Sequence, residues 1–363
     1  MSSGKIMPNR HTTLSKFIID DLRRSGDPHP DLASLLNDIQ TACKHIAVAV
    51  SRGALNPSPV PAAINPPGER QKPLAALAND IMIETLEWSG QLASMVSKEM
   101  ENPYEIPMIY PRGRYLLLFD PLDGSTNIDV NMPVGTLFSV LRCPAAVAQP
   151  RAEDFLQPGT AQVAAGFALY GPMTMMVITL GAGTHGFTLD PEIGAFTLTH
   201  PNMSIPRESR EFAVDVSNER FWEPPVRRYV EECIEGAAGP RKVDFNMRWI
   251  ASMVAEVHRI LIRGGLFMYP RDTRDKSRAG RLRLMYEANP MAMIVEQAGG
   301  GASTGREPIM TIRPTGLHQR VGVILGSRDE VERLVAYHAQ HDRGDETVFD
   351  TPLFNVRSLF RSN

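Results

Sequence analysis

The stretch Tyr115–Gly135, Y-L-L-L-F-D-P-L-D-G-S-T-N-I-D-V-N-M-P-V-G, constrains this chain more than any other. Tyr115, Leu116, Leu117, Leu118 and Phe119 form an unbroken apolar run. A strand with both faces covered reads this way, whereas a half-exposed strand alternates. The run predicts a buried strand ending in Asp120, with Pro121 stopping the ladder because it has no N–H. Asp123 then follows, and Gly124, Ser125 and Thr126 come directly after it. Two carboxylates leaving one strand end together can share a hard cation, with the carbonyl of Leu122 as a possible third oxygen. Gly124 permits close backbone approach, and a helix beginning here would aim the N–H groups of Gly124, Ser125 and Thr126 at an anion. Metal carboxylates beside a phosphate cradle suit metal-assisted phosphate chemistry. The competing reading is a surface turn, since Asp-Pro and Asp-Gly are common turn pairs.

Length and charge narrow the class. At 363 residues the chain exceeds one typical domain, which predicts two domains or one large layered one. A net charge of −3 gives no support for nucleic-acid or anionic-membrane binding. Cys43, Cys143 and Cys233 make no paired framework, so reduced thiols in the cytoplasm are expected. No apolar run reaches membrane-spanning length.

Taken in order, Leu14 to Leu22 reads as a short helix. A second follows with Asp31 as its cap, Leu32, Leu35, Leu36, Ile39, Cys43, Ile46 and Val50 at helical spacing, and Gly53 as its stop. Residues 53–73 are proline-rich and read as a long loop, of the kind that serves as a linker or lid. A helix over 74–88 and a strand over 92–96 deliver Ser97-Lys98-Glu99. Beyond Gly135, β-rich runs at 136–141, 163–170, 174–180, 186–189 and 196–199 predict an antiparallel or mixed sheet. A polar stretch near 201–210 marks a boundary. After it, helices at 224–234, 249–262, 290–297 and 328–338 alternate with strands at 266–269 and 321–325. Residues 282–286 lead to Glu287, and an acid at a helix start is by itself ordinary dipole complementarity.

The segment D-P-L-D-G-S-T-N resembles the signature of the lithium-sensitive, magnesium-dependent sugar phosphatases. The chain from about Leu14 to about His338 is similar to class I fructose-1,6-bisphosphatase of the bacterial, carbon-fixation type. The matching segments are L-Q-P-G-T at Leu156–Thr160, V-A-A-G-F-A-L-Y-G at Val163–Gly171, S-M-V-A-E-V-H-R at Ser252–Arg259 and L-R-L-M-Y-E-A-N-P-M at Leu282–Met291. The resemblance implies an α/β fold, a five-layer α/β/α/β/α sandwich. Its N-terminal part, residues 1–205, would carry a nucleotide-site remnant, a lid loop and the metal loop; residues 206–363 would bind the sugar bisphosphate. It implies hydrolysis of the 1-phosphate of fructose-1,6-bisphosphate, in gluconeogenesis or the Calvin cycle, with sedoheptulose-1,7-bisphosphate as a second candidate substrate. It implies Mg2+ or Mn2+ held by Glu99, Asp120, Leu122, Asp123 and Glu287. Glu69, at the tip of the lid, joins Glu99, Asp120 and Asp123 as catalytic. Substrate would meet Asp123, Gly124, Ser125, Thr126, Asp215, Tyr269 and Arg281, with Arg248 reaching in from a neighbouring subunit of a homotetramer.

Several residues depart from the family pattern. Ala75 stands where an aspartate activates the attacking water, and Lys98 replaces the first of two paired glutamates. Asp215 takes the place of an asparagine, and Asn218 that of a tyrosine in animal relatives. His29-Pro30-Asp31-Leu32-Ala33 replaces the segment that binds the AMP phosphate in animal relatives, which implies weak AMP inhibition. These changes keep two alternatives open: a weakly active or non-catalytic paralogue that binds sugar bisphosphates, and a phosphatase for another sugar or inositol phosphate. They also imply a site with fewer magnesium ions and reduced turnover.

Overall fold

The computed structural model describes residues 12–24, 30–56, 72–144, 149–274 and 279–345. Its first part holds helices α1 (Leu14–Arg24), α2 (Pro30–Arg52) and α3 (Pro73–Leu86). Eight strands follow: β1 (Leu92–Ser97), β2 (Tyr104–Glu105), β3 (Tyr115–Asp123), β4 (Val134–Arg142), β5 (Ala164–Tyr170), β6 (Thr174–Thr179), β7 (Thr184–Asp190) and β8 (Ala195–Met203). A single turn, α4 (Ala152–Phe155), precedes β5. The eight strands form one sheet in the order β2-β1-β3-β4-β5-β6-β7-β8. Only the β1–β3 pair is parallel.

The second part holds β9 (Glu211–Ala213), α5 (Pro224–Glu235), β10 (Asn246–Met247), α6 (Met253–Arg263), β11 (Leu266–Tyr269), β12 (Leu282–Arg283) and α7 (Asn289–Gln297). It closes with β13 (Gly301–Ser303), β14 (Arg320–Val321), β15 (Val323–Gly326) and α8 (Arg328–Asp342). A five-stranded sheet runs β10-β9-β11-β15-β13, and β12 pairs with β14.

Strand side chains alternate between faces, so each sheet divides its apolar residues between two cores. Tyr115, Leu117 and Phe119 of β3 pack with Leu35, Ile39 and Met82 of α2 and α3. Leu116 and Leu118 face the other way, toward Val254, Val257 and Ile260 of α6 and Met291, Ile294 and Val295 of α7. That central core also takes Phe267 of β11 and Leu325 of β15. The opposite face of the second sheet, with Leu266, Met268 and Ile324, packs against Tyr229 of α5 and Leu334 of α8. Helices, sheet, helices, sheet, helices: the layering is the expected five-layer α/β sandwich. Each fully buried Leu or Phe in these cores contributes about 1.5–3 kcal/mol.

Three local expectations need correction. Strand β3 does not end at Asp120. Its pairing with β4 slips between Asp120, opposite Leu137, and Asp123, opposite Gly135, so the missing Pro121 N–H makes an irregularity rather than a stop. Asp31 lies inside the first turn of α2, because Pro30 already has helical geometry and suits a first position. Strand β12 ends at Arg283, and Leu284–Ala288, which carries Glu287, is a π-helical turn. The last expected strand, 321–325, is two short strands, β14 and β15, broken at Gly322. Most of the predicted lid, Glu69 included, lies outside the described residues, as does His29.

Candidate active site

Asp120, Asp123 and Glu287 converge in the structure. Each offers a carboxylate oxygen within 4.8 Å of the others, and all three side chains are buried. Strand β3 delivers both aspartates. The π turn delivers Glu287, whose Oε2 accepts a hydrogen bond from the Arg283 N–H at 2.5 Å. Such turns often occur at functional sites, because the extra residue re-aims a side chain.

Every carboxylate here is anchored by other groups. Asp120 Oδ1 accepts from the Leu122 N–H at 3.2 Å. Asp123 Oδ2 accepts from the Val254 N–H at 3.0 Å, with Ser252 Oγ at 3.4 Å. Val254 is the second residue of α6, so Asp123 takes up a helix-start N–H that has no partner within the helix. Asn127 reinforces the junction by donating from Nδ2 to the Ile250 carbonyl at 2.9 Å. Gly124 sits between these groups in the left-handed region, with φ of 72°. A β-carbon there would lie 2.9 Å from both Cβ and Oγ of Ser252. Ser125 and Thr126 open a short 3₁₀ turn, Ser125–Val130.

Lys98 enters the same cluster. Its Nζ lies 2.5 Å from Asp120 Oδ2 and 2.9 Å from Glu287 Oε1, and its side chain is 16% exposed. Burial opposes the ammonium, but Asp120, Glu287 and Asp123 together outweigh it and hold the Lys98 pKa above its ordinary value. One ammonium does not compensate three buried carboxylates. Burial pushes Asp120 up to about 7; Lys98 opposes that shift, and Glu287 and Asp123 add to it. Glu287, whose burial is outweighed by Lys98 and Arg283, is held below the usual range.

The remaining predicted residues are spread more widely. Glu99, half-buried past the end of β1, donates its N–H to Ser97 Oγ at 3.1 Å and is not among the three gathered carboxylates. Leu122 is buried beside them. Asp215 and Tyr269 line a depression with Val214, Asn218, Trp222, Met268, Pro270 and Asp272. Asp215 also caps the 3₁₀ turn Val216–Phe221, accepting from the Ser217 N–H at 3.1 Å and from Asn218 Nδ2 at 2.7 Å. Arg281 lies against the depression, with Nε 3.4 Å from Asp272 and its guanidinium 6.0 Å from the Tyr269 ring centroid. Arg248 is not part of that lining; it is exposed, 3.7 Å from Glu211. Ala75 is buried in the first turn of α3, and Asn79 one turn later is buried with its Oδ1 lacking a hydrogen-bond partner.

Sequence reasoning gave no role to Ser252, the Val254 N–H or the Arg283 N–H. Ser252 had a readable signal, since a serine ahead of an apolar periodic run marks a helix start. The two backbone donors carry no side-chain signal at all.

The donor set fits a divalent cation that prefers oxygen, because three buried carboxylates crowd together and are under-compensated. Fold and site thus define a layered α/β protein with a buried carboxylate cluster that could hold a metal at the end of a buried strand. Residues 12–201 match the family model "Fructose-1-6-bisphosphatase, N-terminal domain" and residues 205–339 match "Fructose-1-6-bisphosphatase, C-terminal domain". The chain belongs to the fructose-1,6-bisphosphatase family. It is 60% identical over 356 residues to "Fructose-1,6-bisphosphatase class 1" of Methylacidiphilum infernorum (isolate V4), covering 98% of this chain and 100% of that one. It is 56% identical over 354 residues to the class 1 enzyme of Hydrogenophilus thermoluteolus, covering 97% and 98%. Among solved structures, the holo form of Leishmania major fructose-1,6-bisphosphatase is similar at a TM-score of 0.83 and 39% identity, over 90% of this chain and 99% of that chain. Its apo form gives 0.79 and 38% over the same shares.

Proposed function

We propose that this protein hydrolyses the 1-phosphate of fructose-1,6-bisphosphate, giving fructose 6-phosphate and phosphate. One observation carries the reading. The buried Asp120–Asp123–Glu287 cluster stands beside the Gly124 turn in a chain that is 60% identical, end to end, to a relative bearing that name. Asp120, Asp123 and Glu287 would hold Mg2+ or Mn2+, with the Leu122 carbonyl and Glu99 as further oxygens. A bound divalent ion supplies charge stabilisation for the phosphoryl group and lowers the pKa of water.

The chain's own groups do the positioning. Backbone N–H groups at Gly124, Ser125 and Thr126 would receive the 1-phosphate. Glu99 would take a proton from the attacking water, with Glu69, which lies outside the described residues, as a second catalytic acid. Asp215, Tyr269 and Arg281 would receive the far end of the sugar. The exposed Arg248, which does not line this depression, would complete a neighbouring subunit's pocket. This requires a homo-oligomer, for which a tetramer is our expectation. Light scattering that shows only monomer at micromolar concentration would count against the shared arginine.

The gap between the two family models, at residues 201 and 205, supports a division of the chain near 205. The free thiols of Cys43, Cys143 and Cys233 support a reducing, cytoplasmic setting. No helix among the described residues is long and apolar enough to cross a membrane. A place in gluconeogenesis or the Calvin cycle follows from the substrate.

The test is orthophosphate release by purified protein from fructose-1,6-bisphosphate, with sedoheptulose-1,7-bisphosphate and inositol 1-phosphate beside it, across Mg2+ and Mn2+ titrations. Release from fructose-1,6-bisphosphate well above that from inositol 1-phosphate is expected. A second reading, a weakly active or non-catalytic binder of sugar bisphosphates, is favoured by Ala75 and by the position of Lys98. It would replace the first if substrate binds but no phosphate appears with either metal.

A further inference from the structure

The structure assigns Lys98 as a resident cation of the carboxylate cluster, one that takes a position a divalent ion would otherwise fill. Geometry is the ground for this. The ammonium touches two of the three clustered carboxylates, Asp120 Oδ2 at 2.5 Å and Glu287 Oε1 at 2.9 Å. It therefore lies among the oxygens a metal would use. It is not a surface lysine that has folded over by chance. The Lys98 N–H donates to the Phe119 carbonyl at 3.0 Å, fixing its backbone to β3 one residue before Asp120. Parallel pairing of β1 with β3 sets that register, with Ser97 opposite Phe119.

Charge decides how many ions fit. Asp120, Asp123, Glu287 and the proposed further ligand Glu99 carry four formal negative charges, and Lys98 and the buried Arg283 beside Glu287 carry two positive ones, which leaves two for one divalent ion to neutralise. A second would have to enter beside the ammonium. A divalent ion placed there would meet a like charge at contact range, where the repulsion is strong and doubles with the ion's valence. Lysine donates three N–H bonds and accepts none, so it cannot itself coordinate a metal. The protein thus fixes one positive charge covalently at the site and takes one fewer divalent ion than the same carboxylates would without it. This rests on the proposed metal-dependent phosphatase reading, and the two are separable by experiment.

Mn2+ is titrated into metal-free protein and followed by equilibrium dialysis and by its paramagnetic resonance signal. The native chain and Lys98→Met, Lys98→Glu and Lys98→Arg are compared. About one Mn2+ per chain is expected for the native protein and for Lys98→Arg. Lys98→Met should bind a second ion or bind the first at least about tenfold more tightly, and Lys98→Glu should bind at least one more ion. Equal stoichiometry and affinity in all four proteins would overturn the assignment. Because Lys98→Met strips the cluster of its counter-charge, thermal unfolding is read with and without Mn2+. Stabilisation by Mn2+ larger than in the native chain supports the assignment, and stabilisation no larger contradicts it. Phosphate release is measured on the same samples. Altered ion counts without hydrolysis in any variant would sink the phosphatase reading alone. Hydrolysis with ion counts and affinities both unaltered would sink the Lys98 assignment alone.

Discussion

Asp123 Oδ2 accepts a hydrogen bond from the Val254 N–H at 3.0 Å, so a candidate metal carboxylate also holds the first turn of α6. The two duties can be pulled apart. Asparagine at 123 keeps an oxygen for the Val254 N–H and removes one of three repelling charges. Asp123→Asn should therefore match or exceed the native protein in metal-free stability, while its Mn2+ affinity falls at least about tenfold. Asp123→Ala loses the helix-start bond as well, a loss typically costing about 1 kcal/mol. Thermal unfolding without metal, paired with Mn2+ titration, checks both. If the two variants are equally stable without metal, the bond to Val254 contributes nothing.

Gly124 is required by two separate constraints, its φ of 72° and the 2.9 Å approach to Ser252 that a β-carbon would make. Gly124→Ala should cost about 1–3 kcal/mol and shift the turn that would face phosphate. Adding Ser252→Gly removes the crowding but not the backbone strain, so it should recover only part of the lost stability. Denaturant unfolding of the single and double variants measures this. Full recovery would mean that strain plays no part.

His258 of α6 offers a pH test away from the carboxylates. Burial depresses its pKa to about 4, and nearby His200 adds to the shift, with ring centroids 6.5 Å apart. Its Nδ1 is buried without a hydrogen-bond partner. A depressed folded-state pKa means that the unfolded chain takes up the proton first. The stabilisation is present above the ordinary histidine value of about 6.5 and is lost as pH falls from there through about 4. Between pH 7.5 and 5 the native protein should lose on the order of 1–2 kcal/mol more stability than His258→Gln, read from denaturant midpoints. Parallel curves would remove His258 from the account.

Much of this architecture was legible because burial writes itself into composition. Leu116 to Phe119 read as a strand covered on both faces, and two separate cores do receive alternate side chains from it. Asp120 and Asp123 were legible because acids beside glycine at a strand end are chemically conspicuous. Glu287 lies with the two aspartates in the structure, but the π turn that carries it was not legible. Leu284 to Tyr286 is an apolar run too short for periodicity to separate strand from helix, and the chain forms a π turn. For Lys98 the sequence left two directions open, into the carboxylate cluster or out to solvent. A lysine after a strand can turn to solvent, and only the assembled carboxylates make the buried position favourable. Asp215 shows the opposite limit, since its cap on Ser217 and Asn218 depends on a turn that the sequence reading had not predicted.

Ala75 and Lys98 together set the last expectation. Ala75 is buried in the first turn of α3, where the resemblance expects an aspartate. A carboxylate there would sit at the favourable end of the helix dipole. It would lie one turn from Asn79, whose Oδ1 lacks a partner and whose amide nitrogen can donate. Lys98 occupies space among the metal carboxylates, and its ammonium cannot generate hydroxide from water. Restoring only Ala75→Asp supplies a proton acceptor with no additional ion to act beside it. Restoring only Lys98→Glu adds a buried negative charge that metal must compensate, so that variant should need more Mg2+ and unfold more readily without it. The two changes should therefore couple. Ala75→Asp with Lys98→Glu should raise turnover of fructose-1,6-bisphosphate at saturating Mg2+ by about tenfold or more, the size of one acid–base contribution, and by more than the single effects multiplied. A Mg2+ titration of kcat for native, single and double variants measures this. A double variant no faster than the native chain at any Mg2+ concentration would show that these two positions do not limit catalysis.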